Sequence, residues 1–193
     1  MNFVRAFIAV EISPSLKEKL HKETAPLRRT LTRPLVRWVD VGNIHLTLKF
    51  LGDTPVDKLE LLKGYLVKEV ASQDPFEIAV NGIGVFASFD RPSVIWAGVK
   101  DNGQLSSLYR CVEAAASRMG SEPERRRFSP HLTLGRVKQR PSQAEREKIR
   151  LAVQAHETLV FGKMQVDAVH LFESQLKPTG AVYRSLFTVR LES

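Results

Sequence analysis

Apolar positions along this chain fall into two rhythms, and the switches between them divide it into strands and helices. Arg5-Ala6-Phe7-Ile8-Ala9-Val10-Glu11-Ile12 is nearly continuous in apolar residues and predicts a buried strand. Ser13 and Pro14 then supply a cap and first-turn pair. Leu16, Leu20, Leu27 and Leu31 continue at helical spacing, with Pro26 expected to kink or end the helix near Ala25. Val36 to Val39 predicts a short strand leading to residues 44–51, where polar and apolar positions alternate until Gly52-Asp53. A second helix is expected with Thr54 as cap, Pro55 in first position, Asp57 in the box-like place and Val56, Leu59, Leu62, Leu66 and Val70 as buried stripe. Phe76–Val80 and Val94–Val99 predict strands joined by a segment carrying Gly82, Gly84, Phe86 and Phe89. Asn102 is placed to cap a third helix with the stripe Leu105, Leu108, Val112, Ala115 and Met119, ended by Gly120. Pro141-Ser142 with Glu145 opens a fourth helix carrying Ile149 and Val153, and strands are expected at Met164–Phe172 and Tyr183–Leu191.

One string occurs twice. His45-Leu46-Thr47-Leu48 reappears as His131-Leu132-Thr133-Leu134, 86 residues on. In a strand, period two sends His and Thr to one face and both leucines to the other. A single His-x-Thr is compatible with a structural histidine, whereas an identical pair is much stronger evidence of a shared site. Each motif strand is followed by a capped helix and further strands, a rough internal repeat. The expectation is an α+β fold, bilobal, with two pseudo-symmetric lobes that each hold an antiparallel sheet and helices. No Pro/Ser-rich linker separates them, so residues 1–193 are read as a single two-lobed domain with the motif strands facing across a central cleft.

Composition is ordinary for a soluble globular chain of 193 residues, with 43% hydrophobic and 26% charged positions. Charge changes the picture more. The net formal charge is +8, and residues 97–193 carry 16 Lys/Arg against 10 Asp/Glu, where residues 1–96 carry 13 against 11. Such a balance favours phosphate-bearing partners, with solubility alone as the alternative. Its sharpest concentration is Arg125-Arg126-Arg127, just before Phe128-Ser129-Pro130 and the second motif. The single cysteine, Cys111, permits no internal disulfide and points to a reducing compartment. Phe3 to Ile12 is interrupted by charge and too short to span a membrane, and lacks a signal-peptide pattern, so a cytoplasmic protein is expected.

Two histidines with two threonines suit one chemistry especially well. Opening a cyclic phosphodiester with water needs a base for the water and, on the opposite side of phosphorus, an acid for the departing ribose oxygen. An imidazole near neutrality serves either role. Threonine hydroxyls two residues on can hold the non-bridging oxygens, whose charge must be stabilised. Neither motif histidine has a further His, Asp or Glu at metal-ligand spacing, so no metal and no cofactor are expected. No Walker loop, dinucleotide fingerprint, nucleophile elbow or Ser-His-Asp signature is present. His21, His156 and His170 are read as structural.

With both motifs in hand, the chain resembles the two-histidine phosphoesterases, in particular the RNA 2′,3′-cyclic phosphodiesterases historically labelled 2′-5′ RNA ligases. The likeness runs through Arg5–Val10, Asn43–Gly52, Val94–Val99, Phe128–Arg136 and Leu171–Ser174. It implies hydrolysis of an RNA-terminal 2′,3′-cyclic phosphate to a 2′-phosphomonoester without metal, with His45 as proton donor, His131 as proton acceptor, and Thr47 and Thr133 on the phosphoryl oxygens. Residue types alone leave the acid and base roles interchangeable. Arg136 resembles a family phosphate contact, although strict alternation puts it on the leucine face unless the strand bulges or ends. Phe7 and Phe50 are candidate stacking platforms, with core packing as the alternative and the favoured one, and Arg127 is a candidate RNA contact. The partner is then RNA with a cyclic-phosphate end or a small cyclic nucleotide, the chain a monomer with no membrane or obligate protein partner. Competing readings are an RNA- or nucleotide-binding module with little turnover, and 2′-5′ ligation as a side activity.

Overall fold

A computed structural model describes residues 2–177 and 180–192. In chain order the elements are β1 (Phe3–Glu11), α1 (Pro14–Glu23), α2 (Ala25–Thr30), β2 (Val36–Trp38), a 3-10 turn (Val41–Asn43), β3 (His45–Pro55), α3 (Val56–Val70), β4 (Phe76–Phe86), β5 (Val94–Lys100), α4 (Gln104–Arg118), β6 (His131–Val137), α5 (Gln143–Gln154), β7 (Val160–Val166), β8 (Ala168–Lys177) and β9 (Gly180–Arg190). The strands form one antiparallel path, β7-β4-β5-β6-β3-β1-β8-β9, with β2 also paired to β6. Its waist is the contact between the two motif strands, where a single registered pair, Leu46 with Leu132, joins β3 to β6. On one side lies the lobe β3-β1-β8-β9, on the other the lobe β6-β5-β4-β7.

The α+β, two-lobed expectation agrees with this architecture, but the lobes are not the two halves of the chain. Helix α1 follows β1 of the first lobe yet packs on β7 of the second, and α4 follows β5 of the second yet packs on β3 of the first. The β4-β5 pair that follows the first motif belongs to the second lobe. A helix must bury its apolar stripe wherever a sheet face is free, and the nearest free face lies across the waist. The leucine sides of both motif strands enter one core: Leu46, Leu132 and Leu134 are fully buried, with Leu48 beside them.

Local signals set most ends. Ser13 accepts the Leu16 amide at 3.4 Å, and α1 stops at Glu23 before the second short helix, α2, which starts at Ala25. At α5 the capping box is complete: Ser142 Oγ accepts the Glu145 amide and Glu145 accepts the Ser142 amide. Four expectations are corrected. Thr54 is no cap: β3 runs on past Gly52 to Pro55, Thr54 pairs with Val4, and its hydroxyl donates to the Leu51 and Gly52 carbonyls. The third helix is capped through Asp101, which accepts the Leu105 amide, not through Asn102. The glycine segment after Val80 continues β4 through a bulge. The single strand expected over Met164–Phe172 is two, β7 and β8, which lie in different lobes. No helix among the described residues is long and apolar enough to cross a membrane.

Gly84 is the tightest of the glycines needed for close approach. Gly84 pairs with Trp96, and a Cβ at Gly84 would stand 2.2 Å from the indole. Gly84→Ala is therefore expected to cost about 1–3 kcal/mol through overpacking, a fall in Tm on the order of 5 °C for a chain of this size. An unchanged melting curve would mean that the indole has room to shift.

Candidate active site

Antiparallel register about the Leu46–Leu132 pair puts His45 across from Thr133 and Thr47 across from His131. All four side chains leave the sheet on the face opposite the buried leucines, where each is partly exposed. Along a strand, His and Thr stand about 7 Å apart, so two strands meeting at one pair make a four-cornered site with a histidine at each end of one diagonal. The rings are close enough that the charge of His131 works against protonation of His45.

Both rings are fixed in the same way. His45 Nδ1 lies 2.8 Å from the Asn43 carbonyl and His131 Nδ1 lies 2.7 Å from the Ser129 carbonyl, each two residues upstream. A carbonyl only accepts, so Nδ1 carries the hydrogen and Nε2 is the unprotonated nitrogen of each neutral imidazole. Phe7 and Tyr183 pack on His45, with ring centroids at 4.7 and 5.2 Å, while Phe86 meets His131 edge-on at 4.8 Å.

Burial holds both histidines below their ordinary pKa, opposed in each case by the backbone carbonyl on Nδ1. Positive neighbours push the same way as burial: Lys17, Arg136 and His131 at His45, and Arg136 at His131. The unfolded chain then takes up protons as pH falls through about 6.5 while the folded chain does not, so stability is lost over that fall and down to the lowered folded values. Tm is expected to drop more between pH 7.5 and 5 for the natural chain than for His45→Gln, in melts without phosphate. Parallel curves would show that His45 does not contribute this linkage.

Two matching bulges aim the next residues. In β6, Gly135 pairs with Ile95 but Thr133 with Trp96, so Leu134 is the extra residue. Leu134 and Gly135 both turn inward, and Arg136 emerges exposed on the histidine face. In β3, Lys49 pairs with Ile8 but Thr47 with Ala9, leaving Leu48 extra, Lys49 buried, and Phe50 67% exposed. Phe50 and Arg136 are thus equivalent, each five residues after its histidine, and core packing does not describe Phe50. For Phe7 the favoured packing reading agrees with the structure and the stacking platform does not. At 2% exposure, covered by His45, Phe50, Phe172 and Tyr183, it offers no face to a base and instead backs His45. Arg127 is exposed in the segment preceding β6.

The two sides of this face differ in room. Gly98 is the strand partner of His131, and beyond it opens a cleft of about 740 Å³ lined by Phe86, Trp96, Asn81 and Lys100 among others. Glu11 is the partner of His45, and the aromatic cluster there leaves only about 100 Å³, bounded by Phe7, Lys17, Phe172 and Tyr183. Trp96 and Tyr183 escaped the sequence reading. Trp96 had a usable signal, since it alternates with buried Ile95 and Ala97 and so faces the site side with Thr133. Tyr183 had none, because β9 reaches His45 only through the folding of a distant hairpin. His156 bonds the Ala152 carbonyl, while His170 bonds the Thr188 hydroxyl and stacks on Phe172, across β1 from Thr47. Among the described residues no three His, Cys, Asp or Glu side chains gather as a metal cluster would require.

The family model of the 2′-5′ RNA ligase superfamily matches residues 13–178. An RNA 2′,3′-cyclic phosphodiesterase of Methanothermobacter thermautotrophicus is 33% identical over 188 residues, 97% of this chain and 99% of that one. Another from Archaeoglobus fulgidus is 34% identical over 185 residues, 95% and 98% of the two chains. Among solved structures, a Thermus thermophilus protein superposes with a TM-score of 0.80 at 25% identity over 98% of both chains. Escherichia coli LigT, crystallised with 3′-AMP, superposes with a TM-score of 0.79 at 21% identity over the whole of both, a likeness of fold.

Proposed function

This chain belongs to the 2′-5′ RNA ligase superfamily, and from that premise we propose that it is an enzyme, an RNA 2′,3′-cyclic phosphodiesterase that opens the cyclic phosphate to a 2′-phosphomonoester with two histidines and no metal. One observation carries the reading: two imidazoles with Nδ1 tied to backbone, and with no partner shown on Nε2 among the described residues, leave the same sheet face at a single strand contact. Phosphorus sits between them. His131 Nε2 takes a proton from water as its oxygen bonds to phosphorus. The P–O3′ bond breaks, and His45 Nε2–H delivers a proton to O3′. Thr47 and Thr133 donate to the non-bridging oxygens, and Arg136 supplies countercharge. The threonine hydroxyls and the Arg136 guanidinium beside the two rings suit an anion better than a cation.

With both pKa values lowered in the free protein, the two rings are mostly neutral at pH 7, and the acid gains its proton as the substrate's negative charge arrives. The pH profile of kcat/KM is therefore expected to fall on its alkaline side from below pH 6.5, with the corresponding limb of kcat displaced upward. An alkaline limb of kcat/KM that begins only above pH 7 would contradict this assignment.

The direct test is an RNA oligonucleotide ending in 2′,3′-cyclic phosphate, incubated with and without chelator. Many turnovers to a 2′-phosphate end, changed less than two-fold by chelator, are expected. Binding without product would favour a recognition module, and a 3′-phosphate product would overturn the proton assignment. The roomy cleft on the His131 side favours a second reaction, in which an RNA 5′-hydroxyl replaces water and yields a 2′-5′ linkage. Joined product rising with acceptor concentration would support it.

A further inference from the structure

We infer that the segment 119–130, between α4 and β6, is a docking rail for the backbone phosphates of single-stranded RNA leading to the cyclic end; this rests on the RNA-end reading above. Arg125, Arg126 and Arg127 are exposed there, and among the described residues none has its guanidinium within 4.0 Å of a carboxylate. Planar guanidiniums match phosphate oxygens in pairs, which suits a polyanion better than a point charge would. Arg127 is four residues from His131, at most about 14 Å of chain.

What distinguishes this segment from a solvated charge run is how firmly it is held. Lys49, turned inward by the β3 bulge and only 6% exposed, donates to the Glu122 carbonyl at 2.7 Å and lies 2.8 Å from Glu113 Oε1. Glu113 also accepts the Glu124 amide at 3.2 Å. Glu124 in turn accepts the Arg126 amide at 3.0 Å, so that carboxylate is engaged within the segment. Phe128 stacks on Tyr109 with centroids 4.2 Å apart, and the Pro130 carbonyl accepts the Val99 amide. A buried ion pair is a poor source of net stability, since desolvation offsets most of its attraction. Here it ties the first motif strand to the arginine segment that precedes the second. Solubility alone needs no such anchor, whereas a phosphate rail gains affinity from being ordered before RNA arrives.

The test compares the natural chain with Arg125→Ser/Arg126→Ser on a cyclic-ended 12-nucleotide RNA and on 2′,3′-cyclic AMP, with anisotropy titrations of an uncleavable 12-mer over a salt series. The expected result is a KM for the 12-mer raised at least ten-fold, kcat/KM for cyclic AMP within two-fold, and a log Kd against log salt slope reduced by about 1.4, or about 0.7 per lost contact. Equal losses on both substrates, or unchanged RNA binding, would overturn the rail. If RNA binds through the arginines but nothing turns over, the rail stands and the hydrolytic reading fails. For the anchor, Lys49→Met/Glu113→Leu replaces the pair with apolar volume, which such sites can tolerate. Its KM for the 12-mer should move toward that of the arginine variant with kcat for cyclic AMP retained; an unchanged KM would remove Lys49 from the rail.

Discussion

His131→Ala is expected to lower turnover of a cyclic-phosphate RNA by about two to four orders of magnitude, and His45→Ala by a similar factor. Each removes an imidazole proposed to transfer a proton and held by one backbone bond at Nδ1, and among the described residues Nε2 has no shown partner and no other histidine is shown against the motif pair. The double variant should lose little more than either single one, because an acid and a base acting in one displacement fail together. An activated aryl phosphodiester separates the roles. Its leaving oxygen departs without a proton, so His45→Ala should recover most of its rate on that substrate and His131→Ala should not. Recovery in His131→Ala instead would exchange the two roles, and full activity of both variants on RNA would end the mechanism. His45→Gln, which keeps a side chain against Phe7 and Tyr183, controls for loss of packing.

Thr47→Val and Thr133→Val should each reduce kcat by about 10²–10³, equivalent to about 2.7–4 kcal/mol of transition-state stabilisation. Valine keeps the shape and removes only the hydroxyl, so the melting temperature is expected to change little. The register makes the two threonines equivalent, each standing opposite the histidine of the other strand. Serine at either position should restore most of the loss. A rise in KM with kcat unchanged would mean that the hydroxyls hold the ground-state phosphate only, without strengthening as charge develops.

Much of this was legible before any coordinates. Period two in His45–Leu48 and His131–Leu134 is a local property, enough to assign one face to chemistry and the other to the core, and the buried leucines agree. Capping residues are local too, which is why Ser13 and the Ser142–Glu145 box were readable. Failures occurred where a local signal competed with pairing to a distant strand. Gly52-Asp53 has the look of a strand end, yet pairing with β1 carries β3 on to Pro55 and takes Thr54 out of the cap. Between Met164 and Phe172 no break is visible in the pattern, although Asp167 separates strands that join different lobes. Phe50 could not be told from a core residue, because its direction depends on an extra residue, Leu48, visible only in the register against β1.

By itself, then, the amino-acid order determined the duplicated motif, its two-faced strands, most helices, and the arginine cluster beside the second motif, since each depends on residues within a few positions of one another. Tertiary structure alone decided that the two motifs meet at one leucine pair, that helices trade places between lobes, that matched bulges bring Phe50 and Arg136 to the histidine face, and that Tyr183 closes over His45. These are contacts between segments tens of residues apart, and they follow from which sheet faces remain free for burial once all the strands have paired.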